Sequence, residues 1–179
     1  GADALMLSGE TSVGDFPIEA VKIMARIIER TEEIALDQIP PLKHSPATKG
    51  GAITKAATEV GLTVGAKFLV AFTQSGDSAR RMSRLRSPIP MLALTPDGGT
   101  YNRLALSWGV ESMVTAVVNH TDEMVMQVDT LLIESKRVNI GDLVLIVAGS
   151  PPGIPGSINA MRVHKIGDAV GGVAPAYRK

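Results

Sequence analysis

Three short stretches of this chain bring together side chains that can do chemistry and backbone that can approach a ligand. The first is Ser8-Gly9-Glu10-Thr11. A hydroxyl and a carboxylate this close in sequence can take part in a proton relay. The same residues can equally satisfy the backbone of a tight turn, with Glu10 in a structural ion pair. The second stretch is Thr73-Gln74-Ser75-Gly76-Asp77-Ser78. Hydroxyls, a glycine and the start of a helix suit a phosphate, because the first helical N–H groups are free and the dipole favours an anion. Here too a plainer role stays open, with Ser75 or Asp77 capping the helix. The third stretch is GSPPGIPGS, from Gly149 to Ser157. Its glycines permit close approach to a ligand and its prolines restrict the loop, which also serves simply to join two strands.

The remaining reactive residue types carry less. His44, His120 and His164 are scattered, and no pair has metal-ligand spacing. There is no cysteine, so disulfides and thiolate metal sites are excluded and an intracellular setting is favoured. The methionines and the single Trp108 read as packing residues. Arg80, Arg81, Arg84 and Arg86 cluster without interleaved aromatics, which argues against nucleic-acid binding.

Elements that alternate in type must position these stretches. The apolar run 4–7 reads as the end of a buried strand, and Pro17 opens a helix that runs to about residue 36. That gives one strand–turn–helix unit. Residues 37–51 hold three prolines and two glycines and mark a domain boundary. Beyond it, helices are expected over 52–62, 77–85, 100–107 and 121–136, the last with Met124, Val128, Leu131 and Leu132 facing a core. Strands are expected over 66–72, 91–94, 112–118, 143–148 and 161–166. Alternation of this kind indicates an α/β, three-layer domain with a mostly parallel five-stranded sheet. The connection before the last strand is too short for a helical crossover, so that strand should pair antiparallel.

Composition fits this picture. The 179 residues are 45% hydrophobic and 20% charged, with 18 basic and 18 acidic side chains, so no net field recruits nucleic acid. No apolar run approaches the ~20 residues of a membrane span. The chain starts at Gly1, without Met, and enters an apolar segment almost at once, which suggests a piece of a longer protein.

The run MLSGET (6–11), followed by Gly14, Pro17, Glu19, Ala20 and Val21, resembles the eighth barrel strand and following helix of pyruvate kinases. Residues 73–78 resemble the loop with which that family grips an effector phosphate, and GSINAMRVHKIG (156–167) is similar to its closing strand. The resemblance implies residues 1–40 as a remnant of the catalytic (β/α)8 barrel and 41–167 as the C-terminal α/β domain; the stretch 168–179 reads from its own sequence as a mobile tail. It implies Ser8 and Glu10 as supporting proton-relay positions. Thr73, Gln74, Ser75, Gly76, Asp77, Ser78, Ser150, Gly153 and Gly156 become effector-binding residues. No metal ligand is expected in this chain.

The parent enzyme implied transfers phosphoryl from phosphoenolpyruvate to ADP, using Mg2+ and K+ held by residues outside this chain. Neither ion is expected bound here, and the chain alone should be inactive. The family is typically tetrameric, so a homo-oligomer is implied, with a regulatory and assembly role for this part. Some relatives that answer to a sugar bisphosphate have a basic residue in the effector loop. Gln74 and Asp77 supply none, which favours a sugar monophosphate or AMP, as in bacterial relatives. A free-standing phosphate-ligand module and a pure oligomerisation domain are the competing readings.

Overall fold

The computed structural model describes residues 2–40, 47–150, 152–154 and 156–169. The chain divides into two compact units, Gly1–Leu42 and Lys43–Lys179. The first contains a one-turn helix α1 (Gly9–Ser12), a long helix α2 (Pro17–Ala35) and a closing 3-10 turn (Leu36–Gln38). Pro17 sits in the first helical turn, where its missing N–H leaves no bond unmade. The face of α2 that carries Ile23, Ile27 and Ile34 stays exposed. Residues 4–7, expected as a strand, are not one. A strand is held by a ladder, and the described residues of this unit offer no second strand to pair with. The expected turn at Ser8–Thr11 is instead the single helical turn α1.

The second unit follows the order α3 (Lys49–Thr63), β1 (Phe68–Phe72), α4 (Asp77–Ser83), β2 (Met91–Thr95), α5 (Gly98–Leu104), β3 (Val110–Val114), α6 (Thr121–Glu134), β4 (Leu143–Gly149), β5 (Ile158–Lys165). The sheet runs β3-β2-β1-β4-β5. β1 is parallel to both β2 and β4, pairing Val70 with Leu92 on one side and with Ile146 on the other. β5 is antiparallel to β4, as the short connection requires. The central strands are covered on both faces, which is why they read as continuous apolar runs rather than alternating ones.

Alternate residues of those runs feed two separate cores. Leu69, Ala71, Met91, Ala93, Leu145 and Val147 pack with Ala57, Ala79, Met82 and Leu104 on the side of α3, α4 and α5. Phe68, Val70, Leu92, Leu94, Val144 and Ile146 pack with Val125, Val128 and Leu132 of α6 on the other. The α3 side is built from small residues, so helix and sheet approach closely. A Cβ on Gly61 would stand 2.8 Å from Leu69 Cδ2 and 3.3 Å from Ile89 Cδ1, so a larger residue there requires those side-chain ends to move.

The third strand differs from the sequence expectation. The strand ends at Val114 rather than 118. The Thr115 amide still donates to the Thr95 carbonyl, but β2 stops there and Pro96 follows, so the chain beyond 115 has no ladder to join. Of the tail expected over 168–179, residues 168 and 169 are described. The amides of Gly167 and Ala169 both donate to Asp129 Oδ2, at 3.0 and 3.1 Å. Residues 170–179 lie outside the described residues.

Asp129 is the buried polar centre of this end of the fold. Its other oxygen meets His164 Nε2 at 2.6 Å, with side-chain exposures of 1% and 2%. His164 is therefore a satisfied core histidine, and the pair joins α6 to β5 and to the turn after it. Asp129→Ala would strand a buried imidazole and two amides at once. The expected loss is about 3–5 kcal/mol of unfolding free energy. Urea denaturation checks it, and a loss under about 1 kcal/mol would show that the cluster is dispensable.

Candidate functional site

The strand order reverses at β1. Its outgoing loop leads through α4 to β2 on one side, while β4 on its other side leads into β5. Loops leaving adjacent strands in opposite directions open a crevice at their carboxyl ends, the usual ligand position in open α/β sheets. A cleft of about 650 Å3, open to solvent, lies there. One wall holds Thr73, Gln74, Ser75, Asp77 and Ser78, and the other holds Gly153 and Gly156. Seven of the nine residues expected to bind an effector thus line one cleft. Gly76 and Ser150 do not line it.

Gly76 shapes the first wall from behind. It is the N-cap of α4 with φ +82°, a left-handed conformation open to glycine. A Cβ there would also stand 2.7 Å from Arg80 Nη1. Its amide donates to Thr73 Oγ1 at 2.9 Å, and no side chain caps α4. The alternative in which Ser75 or Asp77 caps the helix is therefore not what the chain adopts. Asp77 instead binds Arg81 Nε at 2.6 Å, which offsets its charge beside the cleft. Arg81 also reaches Thr48 Oγ1, and Arg80 donates to the Ser75 carbonyl at 3.1 Å. Both arginines brace the loop and neither lines the cleft.

The second wall rests on Asn159 of β5. Its Nδ2 donates to the Ser150 carbonyl at 2.6 Å and its Oδ1 accepts from the Ser150 amide at 2.7 Å. Ser150 is thereby a fastening point, not a lining residue. Gly153 (φ +84°) brings this loop up to Gln74, whose Nε2 would lie 3.9 Å from a Cβ at that glycine. Pro151 and Pro155 lie outside the described residues. Sequence reasoning missed the apolar side of the cleft, which includes Leu94, Pro96, Val117 and Val118. The signal available was Pro96, which ends β2 and so forces residues 115–118 off the sheet.

Ser8 and Glu10 belong to the first unit. The Ser8 amide donates to Glu10 Oε2 at 3.0 Å, and Thr11 Oγ1 donates to the Ser8 carbonyl at 3.2 Å. Glu10's own backbone N–H, and then that of Ser8, hold its carboxyl below the ordinary carboxylate range. It is ionised at neutral pH and suited to accept a proton rather than to give one.

The segment 51–164 matches the family model described as "Pyruvate kinase, alpha/beta domain". The chain belongs to the pyruvate kinase family. It is 52% identical over 168 residues to the pyruvate kinase of Mycobacterium tuberculosis (strain ATCC 25618 / H37Rv), covering 94% of this chain and 35% of that protein. Against the pyruvate kinase of Corynebacterium glutamicum the identity is 44% over the same shares. A crystal structure of a pyruvate kinase from Cryptosporidium parvum superimposes with a TM-score of 0.79 at 27% identity, over 93% of this chain and 34% of that one. The chain spans about a third of the length of the relatives it matches, corresponding to their C-terminal portion.

The Glu10 turn gives a pH prediction. Its folded pKa is depressed, so the turn's contribution is complete above the unfolded value and is lost as pH falls through the folded one. A carboxyl-detected NMR titration should give a Glu10 midpoint below the ~4.3 of a free glutamate. A midpoint at or above that value would mean the amides do not hold it.

Proposed function

We propose that this chain is the regulatory and assembly part of a pyruvate kinase, and that its cleft takes a phosphorylated effector. The parent reaction is phosphoryl transfer from phosphoenolpyruvate to ADP, giving pyruvate and ATP. The observation that carries the effector reading is the meeting of two loops at the sheet's switch point. The hydroxyl-rich 73–78 loop faces the glycine loop after β4 across a cleft of about 650 Å3. A phosphate would be met by hydroxyls, with Asp77 already paired to Arg81. The apolar side of the cleft would cover the rest of the ligand. Among the described residues no cationic side chain lines it, which favours a singly phosphorylated ligand, a sugar monophosphate or AMP, over a bisphosphate.

Binding would regulate by shifting an equilibrium between quaternary states, a tetramer being the assembly expected of the parent, through contacts that differ between those states. Ser8 and Glu10 would support proton transfer in the parent's active site. Among the described residues no three His, Asp or Glu side chains converge as metal ligands. The Mg2+ and K+ of the parent reaction would be held by residues outside this chain. Among the described residues no helix is long and apolar enough to cross a membrane.

Thermal melting tests the effector reading. AMP or glucose 6-phosphate at a hundredfold excess over its dissociation constant adds about 2.7 kcal/mol, a rise in midpoint of about 5–10 °C. No shift with either ligand would leave a purely assembly role. The chain alone, given phosphoenolpyruvate, ADP and magnesium, should form no pyruvate. Steady turnover by this chain would overturn the assignment of catalysis to residues outside it.

A further inference from the structure

We infer that Thr100, which does not line the cleft, is a positioning residue for the 73–78 loop, acting through the backbone carbonyl of Gln74. The inference rests on the effector reading above where it concerns binding, and on hydrogen bonding alone where it concerns the loop.

Thr100 lies in α5, 27 positions beyond Thr73, and is 0% exposed. Its Oγ1 donates to the Gln74 carbonyl at 2.8 Å. Its amide donates to Asp97 Oδ2 at 2.6 Å, and Arg103 Nη2 donates to its Oγ1 at 2.8 Å. A hydroxyl has one proton and two lone pairs. Arg103 occupies a lone pair, so the proton is left to point elsewhere. The hydrogen bond with the hydroxyl as donor goes to the Gln74 carbonyl, at 2.8 Å. The carboxylate receives the Thr100 amide instead.

The Gln74 carbonyl needs this partner. β1 ends at Phe72, and the last ladder-like bond on this side is the Thr73 amide to the Leu94 carbonyl. A partly buried carbonyl beyond it has no strand to supply a donor, and leaving it unpaired is costly. Thr100 also stands against the loop, since a Cβ added at Gly76 would lie 3.3 Å from its Cγ2. Anchoring Gln74 at its carbonyl fixes where its side chain enters the cleft and how the chain turns into α4. None of Asp97, Thr100 or Arg103 lines the cleft, so their effect on a ligand must pass through the loop.

The test compares Thr100→Val, which keeps the shape and removes the hydroxyl, with Thr100→Ser, which keeps the hydroxyl. The readouts are calorimetric binding of AMP and of glucose 6-phosphate, and amide hydrogen exchange over residues 74–78. Losing this bond should weaken binding about three- to tenfold and speed loop exchange by a similar factor. Thr100→Ser should return both to within about twofold of the native chain. Native binding and native loop exchange in Thr100→Val overturn the inference. So does exchange that accelerates equally in every element without recovery in Thr100→Ser, because that marks a role in general stability. If the native chain binds neither probe, the effector reading fails, and loop exchange alone then decides the positioning role. The exchange result also decides wherever the two readouts disagree. Should Thr100→Val not fold, Thr100→Ala removes the same hydroxyl without placing a second branched methyl in the site. Faster loop exchange there supports the inference, and unchanged exchange overturns it.

Discussion

The position of β1 between β2 and β4 constrains everything else in the larger unit. Both neighbours run parallel to it, so it is hydrogen-bonded on two edges, and four of its five residues are buried, with Phe72 partly so. β2 is also parallel to both its neighbours, but there the chain keeps advancing toward the β3 edge. After β1 it goes one way along the sheet, and after β4 it goes the other. The loops after β1 and β4 therefore separate, and their backbone groups fall outside any ladder. Those groups must find side chains or a ligand. Thr100 and Arg80 supply donors to the first loop, and Asn159 serves the second.

The polar chemistry of the cleft is set in part by the same loop. The arginines of α4 are engaged in holding it. Arg81 is taken up by Asp77, so the described lining offers hydroxyls, amides, the paired Asp77 carboxylate and apolar surface. Neutral donors give weaker attraction than cations. Such a surface fits a ligand with one charged end and a body that can lie on Val117, Val118 and Pro96.

The sequence was most legible where one local rule decided the outcome. Pro17 marked the start of α2, and the apolar run LVLIVA marked β4, because proline geometry and two-sided burial leave few alternatives. The short link before β5 forced antiparallel pairing. The reading failed where the partner decides. Residues 4–7 have the composition of a strand, yet composition does not supply a ladder. Residues 115–118 look like a strand continuation, yet β2 ends at Thr95 and withdraws the partner. Of the site, the two glycine- and hydroxyl-bearing loops were visible as motifs. Their apolar opposite face was not, because Val117 and Val118 become lining residues only through strand order. Asp129 was invisible for a related reason: on a helix pattern it reads as a solvent-facing charge, and only His164 and two amides make it a core residue.

These anchors are not independent of one another. The first wall of the cleft rests on α5 through Thr100 and on α4 through Arg80, while the second rests on β5 through Asn159. β5 in turn is fastened to α6 by the His164–Asp129 pair. The segment between β3 and α6 supplies the apolar side, and Gln127 of α6 donates to its Ala116 carbonyl at 3.0 Å. A molecule touching both walls and the apolar side would thus load helices on both faces of the sheet. Packed interiors deform little, so a ligand that brings the walls together must move the elements behind them as bodies. That mechanical link is what an effector needs if occupancy of one small cleft is to be felt at a distant surface, and it comes from hydrogen bonds lying outside the cleft itself.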